Sequence, residues 1–418
     1  DSVANIGIGS YLKHARNYLY VDVANIAHRG SYEAGRHELL WGIKYQYEMV
    51  DDQISEWKLL DSAGYSLPYS SEEVFLDYSL RTDLDLTSSR ITSFFQDSYT
   101  VITDSIEWGF TLGLRSHYWD VNNEFLLSPR ASLSLKPNWE KDFMFRFAAG
   151  YYYQPPFYKE LRDMDGNLNK DISAQKSLHF VLGSDYNFRA WQRPFKFVAE
   201  AYYKHLEDLI PYNVDNVRIR YFGDNMAEGY AVGLDMKVNG EFVKGIESWA
   251  SLSVMTIQED IENDSYQVMD SLGNVETIEP GYIPRPTDQR VNFSMFFQDY
   301  FPNNPSFKMH LALFFGTGLP FGPPQSERYM AVYRMPPHRR VDIGFSKIIV
   351  GEDSHGLIQA KGFLKHFKSL WITAEVFNLL DIKNTVSYEW INDVRNRQYA
   401  VPNYLTSRRL NLKLMAKF

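Results

Sequence analysis

The sequence predicts an all-β protein, a transmembrane antiparallel up-and-down β-barrel with about 16 strands in this chain. Three observations predict it. The first is alternation. Across residues 143–153, Phe143, Phe145, Phe147, Ala149, Tyr151 and Tyr153 fall on one face of a strand, and Met144, Arg146, Ala148, Gly150 and Tyr152 on the other. The second is the length and chemistry of the two faces. The apolar face persists for about ten residues, enough for a tilted strand to cross a bilayer. The opposite face carries Arg, Lys, Glu and Gly, which suits a wet lumen. The third is the clustering of Tyr and Trp near strand ends, at residues 151–153, 118–119 and 202–203, where interfacial girdles lie.

The pattern recurs along the chain in segments centred near residues 7, 24, 44, 95, 111, 129, 148, 181, 200, 234, 252, 293, 311, 344, 375 and 411. Ile106, Trp108, Phe110, Leu112 and Leu114 alternate with Glu107, Gly109, Thr111, Gly113 and Arg115. Val291, Phe293, Met295 and Phe297 alternate with Arg290, Asn292, Ser294 and Gln298. Phe307, Met309, Leu311, Leu313 and Phe315 are followed by Val341, Ile343, Phe345 and Ile349 in the next segment. The last segment sets Leu410, Leu412, Leu414, Ala416 and Phe418 against Arg409, Asn411, Lys413, Met415 and Lys417. No amphipathic helical pattern matches these in strength.

Links between segments alternate in length. Short ones fall at 103–104, 137–142, 189–193, 243–245 and 301–305, and long ones at 60–88, 154–174, 207–225, 260–286, 318–337 and 382–403. Outer-membrane barrels have short periplasmic turns and long outside loops. The link 351–368 breaks the rule, being long on the side of the short turns.

Composition narrows the function. The 418 residues contain no cysteine, so disulfides, thiolate metal sites and cysteine catalysis are excluded. A net charge of −9 argues against a nucleic-acid partner, which would need a basic face. No apolar run reaches the roughly 18 residues of a helical membrane span. Residues 1–10 lack the charged and apolar segments of a secretory leader, which predicts a leader already removed or a piece of a longer chain.

Several strings, taken in order from about Ser93, resemble TonB-dependent outer-membrane receptors, especially those of Bacteroidetes. They are SFFQDSY at 93–99, LGLR at 112–115, LSPRASLSL at 127–135, AGYYYQPPFY at 149–158 and AEAYYKHLEDLIPY at 199–212. NMAEGYAVGLDMK at 225–237, GTGLP at 316–320, HRRVDIG at 338–344, VFNLLD at 376–381 and the closing segment 407–418 complete the series. Before Ser93 the match is looser. The resemblance implies a barrel of 22 strands around an N-terminal plug. This chain shows neither a plug nor a TonB-box-like start, so residues 1–418 are expected to be the C-terminal part of such a barrel, lacking the plug and about six strands. The expected partners are outer-membrane lipid, the plug domain and remaining barrel strands, TonB acting through the missing N-terminal part, and a surface lipoprotein. The resemblance also makes Phe418 the barrel-assembly signal, a terminal aromatic closing an alternating strand.

Catalysis has no support. There is no G-x-S-x-G, H-E-x-x-H, P-loop or G-x-G-x-x-G, and no two histidines stand at metal spacing. The chain is therefore read as a non-enzyme without a cofactor. The metal candidate is Asp163, Asp165, Asn167, Asn169 and Asp171, oxygen ligands at alternate positions that suit a structural calcium in an outside loop. The pattern departs from an EF-hand, with glycine in the fourth place and Ala174 where a bidentate Glu belongs, and a polar turn is the simpler account. Ligand binding is expected in the outward loops and upper lumen, at Tyr118, Trp119, Tyr152, Tyr153, Phe157, Tyr158, Tyr282, Arg285, Tyr329 and Trp390. Aromatic rings offer stacking faces and Arg a fork for carboxylates. Lumen rows include Arg115, Arg130, Arg146, Glu200, Lys204, Arg290, His310 and Arg340.

The reading that follows is an outer-membrane receptor barrel taking part in energised uptake of a scarce ligand, a metal chelate, peptide or oligosaccharide. Its rival is a passive porin or diffusion channel, and a weaker one a soluble β-rich module.

Overall fold

A computed structural model describes residues 10–61, 75–269, 273–301, 304–323, 326–353, 356–358, 362–392 and 397–418. One antiparallel sheet dominates it, and its strands follow chain order. Ser10–Ala15 and Tyr18–Ala34 lie end to end along His37–Asp61. Next come Phe75–Ile102, Ile106–Trp119, Glu124–Pro137, Asp142–Gln154, Gln175–Ala190 and Arg193–Leu209. Ala227–Val243, Ile246–Ile261, Val291–Phe301, Asn304–Gly316, His338–Asp353, Ser369–Phe377 and Arg409–Lys417 complete it. Each neighbour is the next strand in sequence, which is the up-and-down pattern. Among the described residues, fifteen strand positions result. They match fifteen of the segments read from the alternation; the centre near residue 7 lies outside the described residues.

The two faces invert the arrangement of a water-soluble sheet. In His37–Asp61, the side chains of Ile43, Tyr45, Tyr47 and Met49 are exposed, while Lys44, Gln46 and Glu48 between them are half-buried. Leu112, at the centre of its strand, is 66% exposed and Leu182 61%. A continuous apolar exterior of this extent is a surface for lipid rather than water. Aromatic residues rim it. At the end with short turns, Phe143 stacks on Tyr186 at 4.2 Å, Tyr186 on Phe188 at 5.1 Å, and Phe195 meets Phe242 at 5.0 Å. Near the other end stand Tyr151 and Tyr153, 6.4 Å apart, and the Tyr230–Tyr282 pair at 5.4 Å.

The inward face pairs its charges. Asp185 is 3% exposed and takes Arg146 at 2.7 Å and Lys196 at 2.8 Å from the strands on either side. Glycines let inward side chains lie flat. A Cβ on Gly233 would collide with the Tyr202 hydroxyl, and one on Gly344 would collide with the His310 ring. In both cases a ring on the adjacent strand covers the glycine, so each pair reads as one unit.

Several links differ from the sequence reading, among them 260–286, 318–337 and 382–403, which carry short strand pairs of their own. Residues 75–88 are strand, although the sequence suggested a link over 60–88. Leu80, Leu84 and Leu86 are buried there, because other links fold over this extension of the sheet. The apolar core sits at that end, where Val50, Leu84, Leu86, Trp119, Leu161, Ile172 and Ile210 pack together. The link 207–225 carries a hairpin of its own, Tyr212–Asp215 against Arg218–Tyr221. On the short-turn side, the long 351–368 link contains the 3-10 turn Gly362–His366.

The sheet curves, but among the described residues it does not meet itself. One cavity touches Val21 and Val23 on one strand and Leu206 and Leu209 seven strands away, which a flat sheet could not allow. Among the described residues, no strand pairs with the outer edge of Tyr18–Ala34 or of Arg409–Lys417, and both strands are almost wholly exposed.

Candidate functional site in the lumen and outer loops

A cavity of about 1030 Å³ opens inside the curve beneath the 155–174 link. Its wall is cationic and aromatic. Lys44, Arg90, Arg115, Arg130 and Lys176 line it against two carboxylates, Glu48 and Glu160. The alternation puts Lys44, Glu48, Arg90, Arg115 and Arg130 there, since each occupies the inward position of its strand, while Lys176, in register with outward Tyr153, reaches the cavity at the strand end. Arg90 lies 4.3 Å from the Trp119 ring, reaches Glu48 at 3.3 Å and donates from Nη2 to the Pro156 carbonyl at 3.1 Å. Arg130 lies 4.1 Å over Tyr152, which stacks on His179 at 4.1 Å. Arg130, Tyr152 and His179 thus form a layered column on three adjacent strands, offering flat faces and positive charge to the lumen.

The roof is tied down by buried polar contacts. Arg162 donates from Nη1 to Asp52 Oδ2 at 2.7 Å and from Nη2 to the Asp52 carbonyl at 3.1 Å, and both side chains are buried. Arg218 and Arg220 both reach Glu56, the former at 2.8 Å. Glu160 Oε2 accepts the Phe157 amide at 3.1 Å and Oε1 accepts Gln175 Nε2 at 3.0 Å. Burial pushes the Glu160 carboxyl above the usual carboxylate range, and burial pushes the Tyr221 phenol up to about 12.

The sequence-predicted ligand residues separate into groups. Tyr152, Tyr153, Phe157 and Tyr158 come together on the lumen cavity. Trp390 lines a second, smaller cavity among the loops. Trp119 is 1% exposed and belongs to the apolar core. Arg285 is buried against Glu259 at 3.3 Å. Tyr118 donates to Asn123 Oδ1 at 3.1 Å, and Tyr282 donates to Glu228 at 3.1 Å beside the outer aromatic rim. Tyr329 stacks on Tyr266 at 4.5 Å. Residues that sequence reasoning did not single out for ligand binding are Lys44, Glu48, Arg90, Lys176 and His179. The inward register of Lys44, Glu48, Arg90 and His179 was legible, but their height in the lumen was not; Lys176 has the outward register and enters the cavity only at the strand end.

In the 163–171 turn, Asp163 Oδ1 accepts the amides of Asp165 at 2.9 Å and Asn167 at 2.8 Å, and Oδ2 accepts Asn167 Nδ2 at 3.0 Å. Asn169 donates to the Gly223 carbonyl at 3.1 Å and its Oδ1 accepts the Asp171 amide at 3.0 Å. The side chains of Asp163 and Asn169 thus close their own loop and bind it to the next. Among the described residues, no three His, Asp or Glu side chains gather as a metal-holding group. Phe418 is exposed and faces Phe367 at 4.8 Å.

No family model and no curated protein matches the chain. Solved structures do. The chain is similar to the ferric yersiniabactin uptake receptor FyuA from Yersinia pestis, at 13% identity and a TM-score of 0.59, over 98% of this chain and 56% of that one. It is similar to the siderophore receptor PiuA from Acinetobacter baumannii, at 10% identity and a TM-score of 0.58, over 96% and 56%. The copper transporter OprC follows at 11% identity and a TM-score of 0.56, over 95% and 57%. The chain spans just over half the length of these structures. At such identity the likeness is one of fold, the β-barrel that these outer-membrane proteins share.

Proposed function

We propose that the chain is the C-terminal barrel portion of a TonB-dependent outer-membrane receptor, of the Bacteroidetes type, working in energised uptake of a scarce ligand. The observation that carries the reading is the pair of open edges on a lipid-facing sheet. Unpaired N–H and C=O groups are not tolerated in hydrocarbon, so further strands must complete the wall. The sheet follows the backbone of much longer outer-membrane receptors over nearly its whole length. In this reading a plug fills the lumen and meets its charged face, TonB acts on that plug, and a surface lipoprotein is a further partner. The cation excess around the 1030 Å³ cavity favours a ligand with an anionic group, whether metal chelate, peptide or oligosaccharide.

The absence of native cysteine makes a clean test. In the double variant Ile26→Cys, Leu412→Cys, the two thiols sit on the two edge strands. A disulfide needs Cα atoms within about 7 Å. The expected outcome in outer membranes is no bond between them, with each introduced cysteine reacting instead with cysteines placed in further strands of the receptor. Efficient bonding between the two introduced thiols, over a scan of neighbouring pairs, means that the chain closes on itself, and the uptake reading then gives way to a porin.

A further inference from the structure

The 351–368 link is long on the side of the short turns, against the pattern of an outer-membrane barrel. Its last part is the 3-10 turn Gly362–His366, which leads through Phe367 and Lys368 into the strand Ser369–Phe377. The turn is tied to the foot of the sheet. The Phe367 amide donates to the Leu364 carbonyl at 3.1 Å, and the Lys368 amide donates to the Lys417 carbonyl at 2.7 Å. Phe367 faces Phe418 at 4.8 Å and meets Phe363 edge-on at 5.7 Å. Three rings thus run in series from the end of the strand Arg409–Lys417.

Their position continues the lipid-facing surface. The alternation that puts Leu410, Leu412 and Leu414 on the exposed apolar face puts Phe418 there too. Phe363 is 75% exposed and Phe418 72%. Phe301 and Phe307, 4.8 Å apart, rim the same end of the sheet. Cations frame the three rings. Lys365, His366 and Lys368 are exposed, and no acid stands in 362–368. Among the described residues, no ion pair engages either lysine. The two acids of the link, Glu352 and Asp353, lie at the end of the preceding strand, His338–Asp353.

This combination selects a partner. Aromatic rings settle where headgroups meet acyl chains, and nearby lysines extend to the phosphates. Unspent cations call for an anionic surface, and the exterior that the rings prolong already faces lipid. We propose that the 362–368 turn is an interfacial anchor that docks on the periplasmic leaflet and selects anionic phospholipid headgroups, with Phe363 seated at the headgroup boundary and Lys365 and Lys368 on the phosphates. The inference rests on the outer-membrane barrel and needs no transport, so its failure leaves the uptake reading standing.

Quenching by brominated lipid tests it, since the chain has no native cysteine. Protein purified from outer membranes is labelled with bimane at Phe363→Cys or, as a control in a short turn, at Trp139→Cys. Trp139 is 59% exposed and contacts Phe143 and Phe145. Each is reconstituted in vesicles of phosphatidylethanolamine and phosphatidylglycerol, with bromine on one lipid at a time. Brominated phosphatidylglycerol is expected to quench the Phe363→Cys label with an apparent affinity at least about tenfold above that of brominated phosphatidylethanolamine, the order that two lysines at an anionic surface supply. Lys365→Gln combined with Lys368→Gln should abolish the preference and leave the quenching. The proposal is overturned if the Phe363→Cys label is unquenched while the Trp139→Cys label is quenched, which would mean that another protein segment covers the rings. It is also overturned if both lipids quench the Phe363→Cys label alike, or if the preference survives the loss of both lysines. An unquenched Trp139→Cys label overturns the membrane reading and this proposal with it.

Discussion

At the scale of single residues, the outer loops are held by a few buried charges whose value lies in their pairing. Arg162 and Asp52 are the plainest case, 2.7 Å apart and 110 positions apart in sequence. Removing one partner leaves the other charge buried and alone, which costs about 3–5 kcal/mol. Arg162→Met should therefore loosen the 155–174 link without unfolding the sheet. Limited proteolysis would show cleavage confined to that link, and global loss of the fold would contradict the assignment. Glu160 supplies a pH response. Its carboxyl is raised by burial, so the folded loop holds the proton more tightly than the unfolded chain. The stabilising contribution is then fully present below the unfolded value and fades as pH rises through the folded one. Proteolysis of the 155–174 link should slow on acidification. Glu160→Gln should flatten that dependence, since its carbonyl keeps the Phe157 amide while Gln175 turns its own amide.

At the scale of the strand, the two faces carry opposite rules for substitution. Leu112 and Thr111 are neighbours in Ile106–Trp119, one on the exposed apolar face and one inward beside the Ser98 hydroxyl at 3.1 Å. Leu112→Lys should destabilise the folded protein in lipid by about 2–4 kcal/mol, as charges do near mid-membrane on a barrel exterior. Thr111→Lys should cost far less, because its ammonium enters a polar lumen. Urea titration of the two variants in vesicles gives the comparison, and equal losses would mean that the faces are assigned the wrong way round. Inward glycines obey a third rule. Gly233→Val puts a branched side chain where the Tyr202 ring lies, so that strand pair should separate or Tyr202 should be displaced.

For the whole molecule, the open edges decide behaviour. Among the described residues, fifteen strand positions form a curved wall with two unpaired sides. If further strands complete the barrel, the chain purified alone in detergent should resist resolving as a compact, heat-modifiable monomer, and should instead associate through those edges. A sharp heat-modifiable monomer that conducts ions in planar bilayers would show a self-closed pore. The lining of Arg115 and Arg130 would then make that pore anion-favouring.

The period-two alternation by itself determined that the chain forms about ten-residue spans with one apolar face, and the alternation of link lengths determined their up-and-down order. This works because strand register is local: each side chain's face follows from its neighbour's. The sequence also placed Tyr152, Tyr153, Phe157 and Tyr158 at the mouth, where the lumen cavity lies. Only the tertiary structure decided which aromatics are available. Trp119 and Tyr118 are adjacent in sequence, yet one is sealed in the core beneath Leu161 and Ile172 and the other stands outside. The same holds for Arg328, at the start of the 3-10 turn Arg328–Met330, whose partner Glu259 lies in the strand Ile246–Ile261. Loop contacts join residues far apart in the chain through packing that no local pattern encodes, so chemistry at the loops is visible only after the sheet has brought them to one end.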